Sequence, residues 1–144
     1  EVYKLQQFHF HAPAENEIDG QTYPLEGHFV YKTDNGKITV ISVLYNYGDE
    51  NQALKQIWDK MPQAANTETE LSQTISLDDF YPEDKDYYNF EGSLTTPPCT
   101  EGVNWIVFKN QETVSKEQVE KFTQTLGFEN NRPIQDTNGR KIKE

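Results

Sequence analysis

The chain has 144 residues, which is enough for one domain, and a formal net charge of −11 from 24 acidic and 13 basic residues. So acidic a surface repels phosphate backbones and excludes nucleic acid as an expected partner. Hydrophobic residues make up only 34% of the chain, but aromatic residues reach 12%, a core-forming content that disordered chains lack. No apolar run approaches the ~20 residues of a membrane-spanning helix, so no membrane partner is expected.

The first third of the chain predicts three strands. Residues 2–11 alternate between apolar and polar side chains from Gln7 onward. Residues 25–32 and 38–45 are rich in Val, Ile, Phe and Tyr, and an Asn-Gly pair at 35–36 lies between them. Asn-Gly between two such runs is a strong hairpin signal, so we expect these two strands to be antiparallel neighbours.

The remainder of the chain predicts two helices and one further strand. In residues 51–61 the apolar side chains are spaced three and four apart, and Pro62 cannot continue the helix. Residues 66–85 are mostly polar and are predicted to be loop, whereas 103–109 alternate as a strand. At 115–126, Ser115 with Gln118 predicts a capping box that opens a second helix. The expected fold is mainly β with a few helices.

The chain contains three histidines, His9, His11 and His28. His9 and His11 are two apart in a predicted strand and therefore point to the same face. The sixteen-residue gap before His28 lets the chain reverse and bring that side chain onto an adjacent strand. Three nitrogen ligands with a fourth position left open are the catalytic arrangement for zinc. The alternative is three unrelated histidines on a polar face.

Five stretches of sequence resemble the alpha-class carbonic anhydrases, and the pattern is similar to their bacterial type. They are Gln7-Phe8-His9-Phe10-His11, Glu26-Gly27-His28, Gly92-Ser93-Leu94-Thr95-Thr96-Pro97-Pro98-Cys99-Thr100-Glu101, Val103-Asn104-Trp105-Ile106-Val107 and Asn131-Arg132-Pro133-Ile134-Gln135. The resemblance implies that residues 1–144 are the C-terminal portion of a single domain. It also implies a central, twisted, largely antiparallel sheet whose upstream strands are missing from this chain.

The resemblance further implies a role for each matched residue. His9, His11 and His28 would be the ligands of Zn²⁺, with Gln7 and Glu26 hydrogen-bonding ligand rings. Thr95 would accept a hydrogen bond from zinc-bound hydroxide, and Glu15 would take the hydroxyl proton of Thr95. In that family zinc lowers the pKa of its water to the established value of about 7. The residues implied to bind the substrate are Val30, Val40, Leu94, Thr96, Val103 and Trp105.

The activity that the resemblance implies is reversible hydration of carbon dioxide to bicarbonate and a proton, with sulfonamides and anions as inhibitors. It further implies a periplasmic or secreted protein, a disulfide between Cys99 and an upstream cysteine, and, by analogy, a homodimer. No fourth histidine is present, so no proton shuttle can be named. Two other functions stay open: a non-catalytic carbonic-anhydrase-like module, and an unrelated metal-binding β-protein.

Overall fold

The computed structural model describes residues 2–61 and 75–144. Their strands are β1 (Lys4–His11), β2 (Leu25–Lys32), β3 (Ile38–Tyr47), β4 (Tyr87–Ser93), β5 (Glu101–Phe108) and β6 (Glu112–Val114). They form one mixed sheet with the order β1-β2-β3-β5-β4, and β6 pairs with β3 off this path. β3 runs parallel to β5 and β6, whereas the other neighbouring pairs are antiparallel. The prediction of a mainly β fold with a few helices is confirmed.

β1 contains an irregularity that explains why its alternation starts only at Gln7. Between Leu5 and Gln7 the register against β2 shifts, so that Leu5 faces Tyr31 while Gln7 faces Val30. The extra residue of such a bulge turns the following side chains over. Leu5 and Phe8, three apart, therefore pack in the same core. After the bulge the histidines fall on the opposite face from this core.

The predicted hairpin between β2 and β3 is confirmed. The register is unbroken from Leu25 opposite Tyr45 to Lys32 opposite Ile38. The turn closes by a hydrogen bond from the Gly36 N–H to the Thr33 carbonyl at 3.0 Å, and Gly36 has φ +90°. β3 runs two residues past its predicted end because Tyr45–Tyr47 pair with β6.

The two predicted helices are present, α1 (Gln52–Trp58) and α2 (Lys116–Leu126). α2 has the predicted capping box at Ser115, and Gly127 ends it with φ +82°. α1 ends three residues before the predicted limit, and the predicted stop at position 62 lies outside the described residues. Of the predicted loop at 66–85, positions 66–74 also lie outside them. The rest is not all loop, because Leu77–Phe80 form a 3-10 helix.

The two faces of the sheet carry different residues. On one face a core cluster joins β-strand side chains such as Phe29 and Val43 to Leu54 and Trp58 of α1 and Val119 of α2. On the other face lies a smaller cluster together with the histidines. Burial of that first face against α1 and α2 fixes the register, since a one-residue slip would invert both faces. Neither described helix is long and apolar enough to cross a membrane.

Candidate metal centre

The three histidines converge on one point of the sheet. His9 and His28 are directly opposed across β1 and β2, and His11 follows on the same face of β1. One ring nitrogen from each residue lies within 4.8 Å of the other two. The convergence predicted from the sequence is therefore confirmed, and these three side chains could hold a metal ion.

Each imidazole ring has an acceptor beside the nitrogen that does not point toward the other two rings. His9 Nδ1 lies 2.7 Å from Gln7 Oε1, and His11 Nδ1 lies 3.0 Å from the main-chain oxygen of Asn130. His28 Nε2 lies 2.9 Å from Glu26 Oε2, within ion-pair distance but outside hydrogen-bond geometry. An acceptor at one nitrogen fixes the ring so that the other nitrogen can bind a metal. The nitrogens left are His9 Nε2, His11 Nε2 and His28 Nδ1.

The free nitrogens of His11 and His28 face a carboxylate. Glu15 Oε1 lies 3.3 Å from His11 Nε2 and 3.8 Å from His28 Nδ1. His11 Nε2 and Glu15 Oε1 are buried and have no hydrogen-bond partner among the described residues. A buried polar atom without a partner is costly, and a cation between the rings would satisfy the nitrogen.

The geometry fits a metal ion with imidazole ligands. Tetrahedral zinc with Zn–N bonds of about 2.0–2.1 Å needs ligand nitrogens about 3.4 Å apart. The nitrogens here are separated by up to 4.8 Å, so the rings need to close by about 1 Å or a little more. Rotation about χ1 and χ2 moves a histidine nitrogen without moving the backbone, so this change does not require the strands to shift.

His9 and His11 are held in the neutral state that a metal requires. Burial, together with the neighbouring His28 and His11, lowers the pKa of His9 to about 4, against the opposite effect of Glu26. Burial and His28 also lower the pKa of His11, against the opposite effect of Glu15. A neutral imidazole offers a lone pair, whereas a protonated one does not.

Glu26 is a fully buried carboxylate with several donors. Its Oε1 accepts from the main-chain N–H groups of Glu15 at 2.7 Å and Asn16 at 3.0 Å. Its Oε2 accepts from Asn16 Nδ2 at 2.6 Å and from the Ser42 hydroxyl. Burial alone would raise the pKa of Glu26, but His28 and the side-chain donors hold it at about 2. Glu26 is therefore a fixed negative charge beside His28.

The apolar residues that the resemblance implies to bind the substrate lie together, on the same face of the sheet as the histidines. Val40, Val103 and Trp105 belong to one buried cluster, against which Val30 and Leu94 pack. The Trp105 ring meets the His28 ring edge-on, with centroids 4.9 Å apart. This cluster places apolar surface next to the converging nitrogens.

Thr95 lies in a cavity of about 440 Å³ that Glu15 and Trp105 also line. Glu15 Oε2 accepts from the main-chain N–H of Arg132 at 2.6 Å, and Oε1 accepts no hydrogen bond from any described residue. The expected Thr95–Glu15 hydrogen bond is thus not formed through Oε1 in this structure. Thr96 is exposed and is not among the residues that line the cavity.

Sequence reasoning missed three residues that hold the site. Asn130 lies beside His11, and its side chain bonds the Ala12 N–H and the Phe10 carbonyl at 2.9 Å each. Asn16 and Ser42 both donate to Glu26. The alternation of β3 places Ser42 on the same face as Val40, but nothing in the sequence indicates what its hydroxyl bonds.

Known proteins match both the sequence and the fold. A model of the eukaryotic-type carbonic anhydrase family matches residues 1–144. Carbonic anhydrases of Pectobacterium carotovorum and Neisseria gonorrhoeae are 46% identical over 142 residues and 47% identical over 143 residues, and each match covers 99% of this chain. An alpha-carbonic anhydrase of Thermovibrio ammonificans, solved in complex with the inhibitor sulfanilamide, superposes with a TM-score of 0.96 at 48% identity over 99% of this chain.

The matched proteins are longer than this chain. It covers 58% of the Pectobacterium protein, 56% of the Neisseria protein and 63% of the Thermovibrio chain. The shared part includes the strands that carry the three histidines and the segment that carries Thr95, because the matches extend over almost all of this chain. On the family match, the identity and the superposition together, the chain belongs to the eukaryotic-type, or alpha, carbonic anhydrase family.

Proposed function

We propose that this chain binds Zn²⁺ through His9, His11 and His28 and supports the reversible hydration of carbon dioxide to bicarbonate and a proton. The observation that carries the proposal is the convergence of three imidazole nitrogens beside a buried apolar cluster. The alpha carbonic anhydrase family is zinc-dependent, and this chain belongs to it. When bound, zinc lowers the pKa of a water molecule toward neutrality, as is established for carbonic anhydrases, and so supplies the nucleophile.

The apolar cluster suits the substrate. Carbon dioxide is small and apolar, so Val40, Val103 and Trp105, with Val30 and Leu94 packed on them, can hold it without competing for the metal. Edge-on contact with His28 places Trp105 beside a proposed ligand. The role of these residues is to keep the substrate near the nucleophile and to exclude bulk water from that side. Thr96, which is exposed, would contact bicarbonate or anionic inhibitors at the rim.

Thr95 and Glu15 would orient the nucleophile. Because Glu15 Oε1 accepts no hydrogen bond among the described residues, it is available for the hydroxyl proton of Thr95. A hydroxyl that has donated to Glu15 can only accept from the nucleophile, which keeps a hydrogen atom off the attacking lone pair. Glu15 is itself fixed through Oε2 by the Arg132 amide.

Stopped-flow measurement of carbon dioxide hydration by the zinc-loaded protein tests this function. We expect hydration above the buffer rate that sulfanilamide abolishes, because the Thermovibrio relative binds that inhibitor. His28→Ala is the matched inactive control. Hydration equal to the buffer rate in a protein that holds one zinc per chain would contradict the reaction and support the alternative, a non-catalytic zinc-binding module.

Three further properties remain predictions. Export to the periplasm or outside the cell, a disulfide at Cys99 and a homodimer follow from the family resemblance alone. Cys99 is the chain's one cysteine and is free and half-buried. The disulfide therefore needs a cysteine from outside this sequence.

A further inference from the structure

Ser42 occupies a distinctive position in the sheet. It is the β3 residue directly opposite His28 across the β2–β3 pair. Its side chain is fully buried, and its hydroxyl donates a short hydrogen bond to Glu26 Oε2. That same oxygen lies 2.9 Å from His28 Nε2. Ser42 thus touches the carboxylate that flanks a proposed metal ligand, and it is not itself one of the three converging histidines.

The donors to Glu26 come from two different parts of the fold. Two main-chain N–H groups, of Glu15 and Asn16, and the Asn16 side chain all belong to the connection between β1 and β2. Ser42 is the one donor to Glu26 that a neighbouring strand supplies among the described residues. Strand β3 is paired on both sides, with β2 and β5, so its backbone is rigidly placed.

The hydroxyl therefore ties the position of Oε2 to the sheet. Without it, the orientation of the carboxylate relative to His28 would depend on a connection that lies outside the β-ladder. Glu26 is the partner that fixes the orientation and basicity of the His28 ring, and loss of such a partner typically costs about 10- to 100-fold in metal affinity.

We infer that Ser42 is a positioning residue of the zinc site, acting through Glu26 on His28. The inference rests on the proposed function, because it requires zinc at the three histidines. Ser42 is neither a proposed metal ligand nor a proposed substrate contact, yet it should contribute measurably to the zinc affinity. Its effect passes through one oxygen atom, Glu26 Oε2.

The test compares zinc affinity by competition with a chromophoric chelator in four proteins: wild type, Ser42→Ala, Glu26→Gln and the double variant. We expect Ser42→Ala to raise the zinc dissociation constant about 10-fold, at the lower end of the range for partners of ligand residues. In the Glu26→Gln background the same substitution should change it by less than about twofold, the scatter of uncoupled sites. The visible spectrum of the Co²⁺-loaded Ser42→Ala protein should also shift, because it reports ligand geometry.

Tyr45→Phe is the matched control. Tyr45 lies on the same strand, and its buried hydroxyl has no hydrogen-bond partner among the described residues. Loss of this hydroxyl should leave both zinc affinity and the Co²⁺ spectrum unchanged. If circular dichroism shows that Ser42→Ala is unfolded, Ser42→Gly takes its place, since it too removes the hydroxyl and adds no atoms.

The outcomes separate the inference from the proposed function. If wild type binds zinc and Ser42→Ala binds it equally well with an unchanged Co²⁺ spectrum, Ser42 is a packing residue and the inference alone is overturned. An undiminished effect of Ser42→Ala in the Glu26→Gln background would also overturn it, because the effect would not pass through Glu26. If wild type binds no zinc, the proposed function is overturned together with the inference.

Discussion

Asn130 offers the sharpest test of how the C-terminal segment holds the metal centre. Its side-chain oxygen accepts from the Ala12 N–H and its amide donates to the Phe10 carbonyl, each at 2.9 Å. Phe10 lies near the end of β1 and Ala12 directly follows it, so the two groups flank His11. The contact with His11 uses the main-chain oxygen of Asn130, so Asn130→Ala can keep it. The substitution therefore isolates the two side-chain hydrogen bonds.

The expected loss of folding stability follows from these two hydrogen bonds. Each contributes about 1 kcal/mol net, and the orphaned N–H of Ala12, a residue only 2% exposed, adds a desolvation penalty. Asn130→Ala should thus lower the free energy of unfolding by about 2–3 kcal/mol. With a urea dependence of about 2 kcal/mol per molar, the midpoint of equilibrium unfolding should fall by about 1–1.5 M.

The neighbouring residue provides the control. Asn131 is half-buried like Asn130, but its side chain makes no hydrogen bond among the described residues. Asn131→Ala should therefore shift the urea midpoint by less than about 0.3 M, as substitutions away from such contacts do. Equal shifts in the two variants, or no shift in Asn130→Ala, would refute the role given to the Asn130 side chain.

Three other predictions concern the same site. Removing zinc with a chelator should lower the melting temperature measured by circular dichroism. The reason is that free zinc at 1,000 times its dissociation constant adds about 4 kcal/mol of stability. An unchanged melting curve would count against metal binding. Glu26→Gln should weaken zinc binding about 10- to 100-fold in chelator competition, and wild-type affinity would show that its contact with His28 is unimportant. At Gly92 an added Cβ would lie 2.8 Å from Trp105 Cδ1, so Gly92→Ala should cost about 1–3 kcal/mol in urea unfolding. A neutral result there would mean that Trp105 moves freely.

Local sequence patterns were sufficient to predict the strands that they mark clearly and the capped helix α2. β2 has its predicted bounds, because β-branched and aromatic residues and the Asn-Gly turn all mark it. β4 was missed, since Asn89, Glu91 and Gly92 break its apolar pattern. Gly92 is there for a tertiary reason: the Trp105 ring lies too close for any side chain. Such a close approach leaves no signal in a single sequence.

Some features of the candidate site could likewise be predicted from the sequence, and others could not. Convergence of the three histidines could be predicted because it needs only the two-residue period of β1 and one chain reversal. The partner of His11 could not, because Asn130 lies 119 positions away along the chain. Ser42 was hidden for a different reason. A serine in a strand is unremarkable until the register shows that it faces His28 and bonds Glu26.

The rings of His9, His11 and His28 are oriented by acceptors of three different kinds. His9 is paired with the exposed amide of Gln7 on its own strand, and His11 with a main-chain oxygen from the C-terminal segment. Among the described residues, only His28 has a carboxylate at the nitrogen that points away from the other two rings, and that carboxylate, Glu26, is fully buried. A negative acceptor increases ligand basicity more than a neutral one does, and burial strengthens the effect by excluding water. Strand β2 is also paired on both sides, whereas β1 is paired on one side among the described strands. The strongest electrostatic support and the most rigid backbone therefore coincide at His28, so we expect this residue to anchor the proposed metal site.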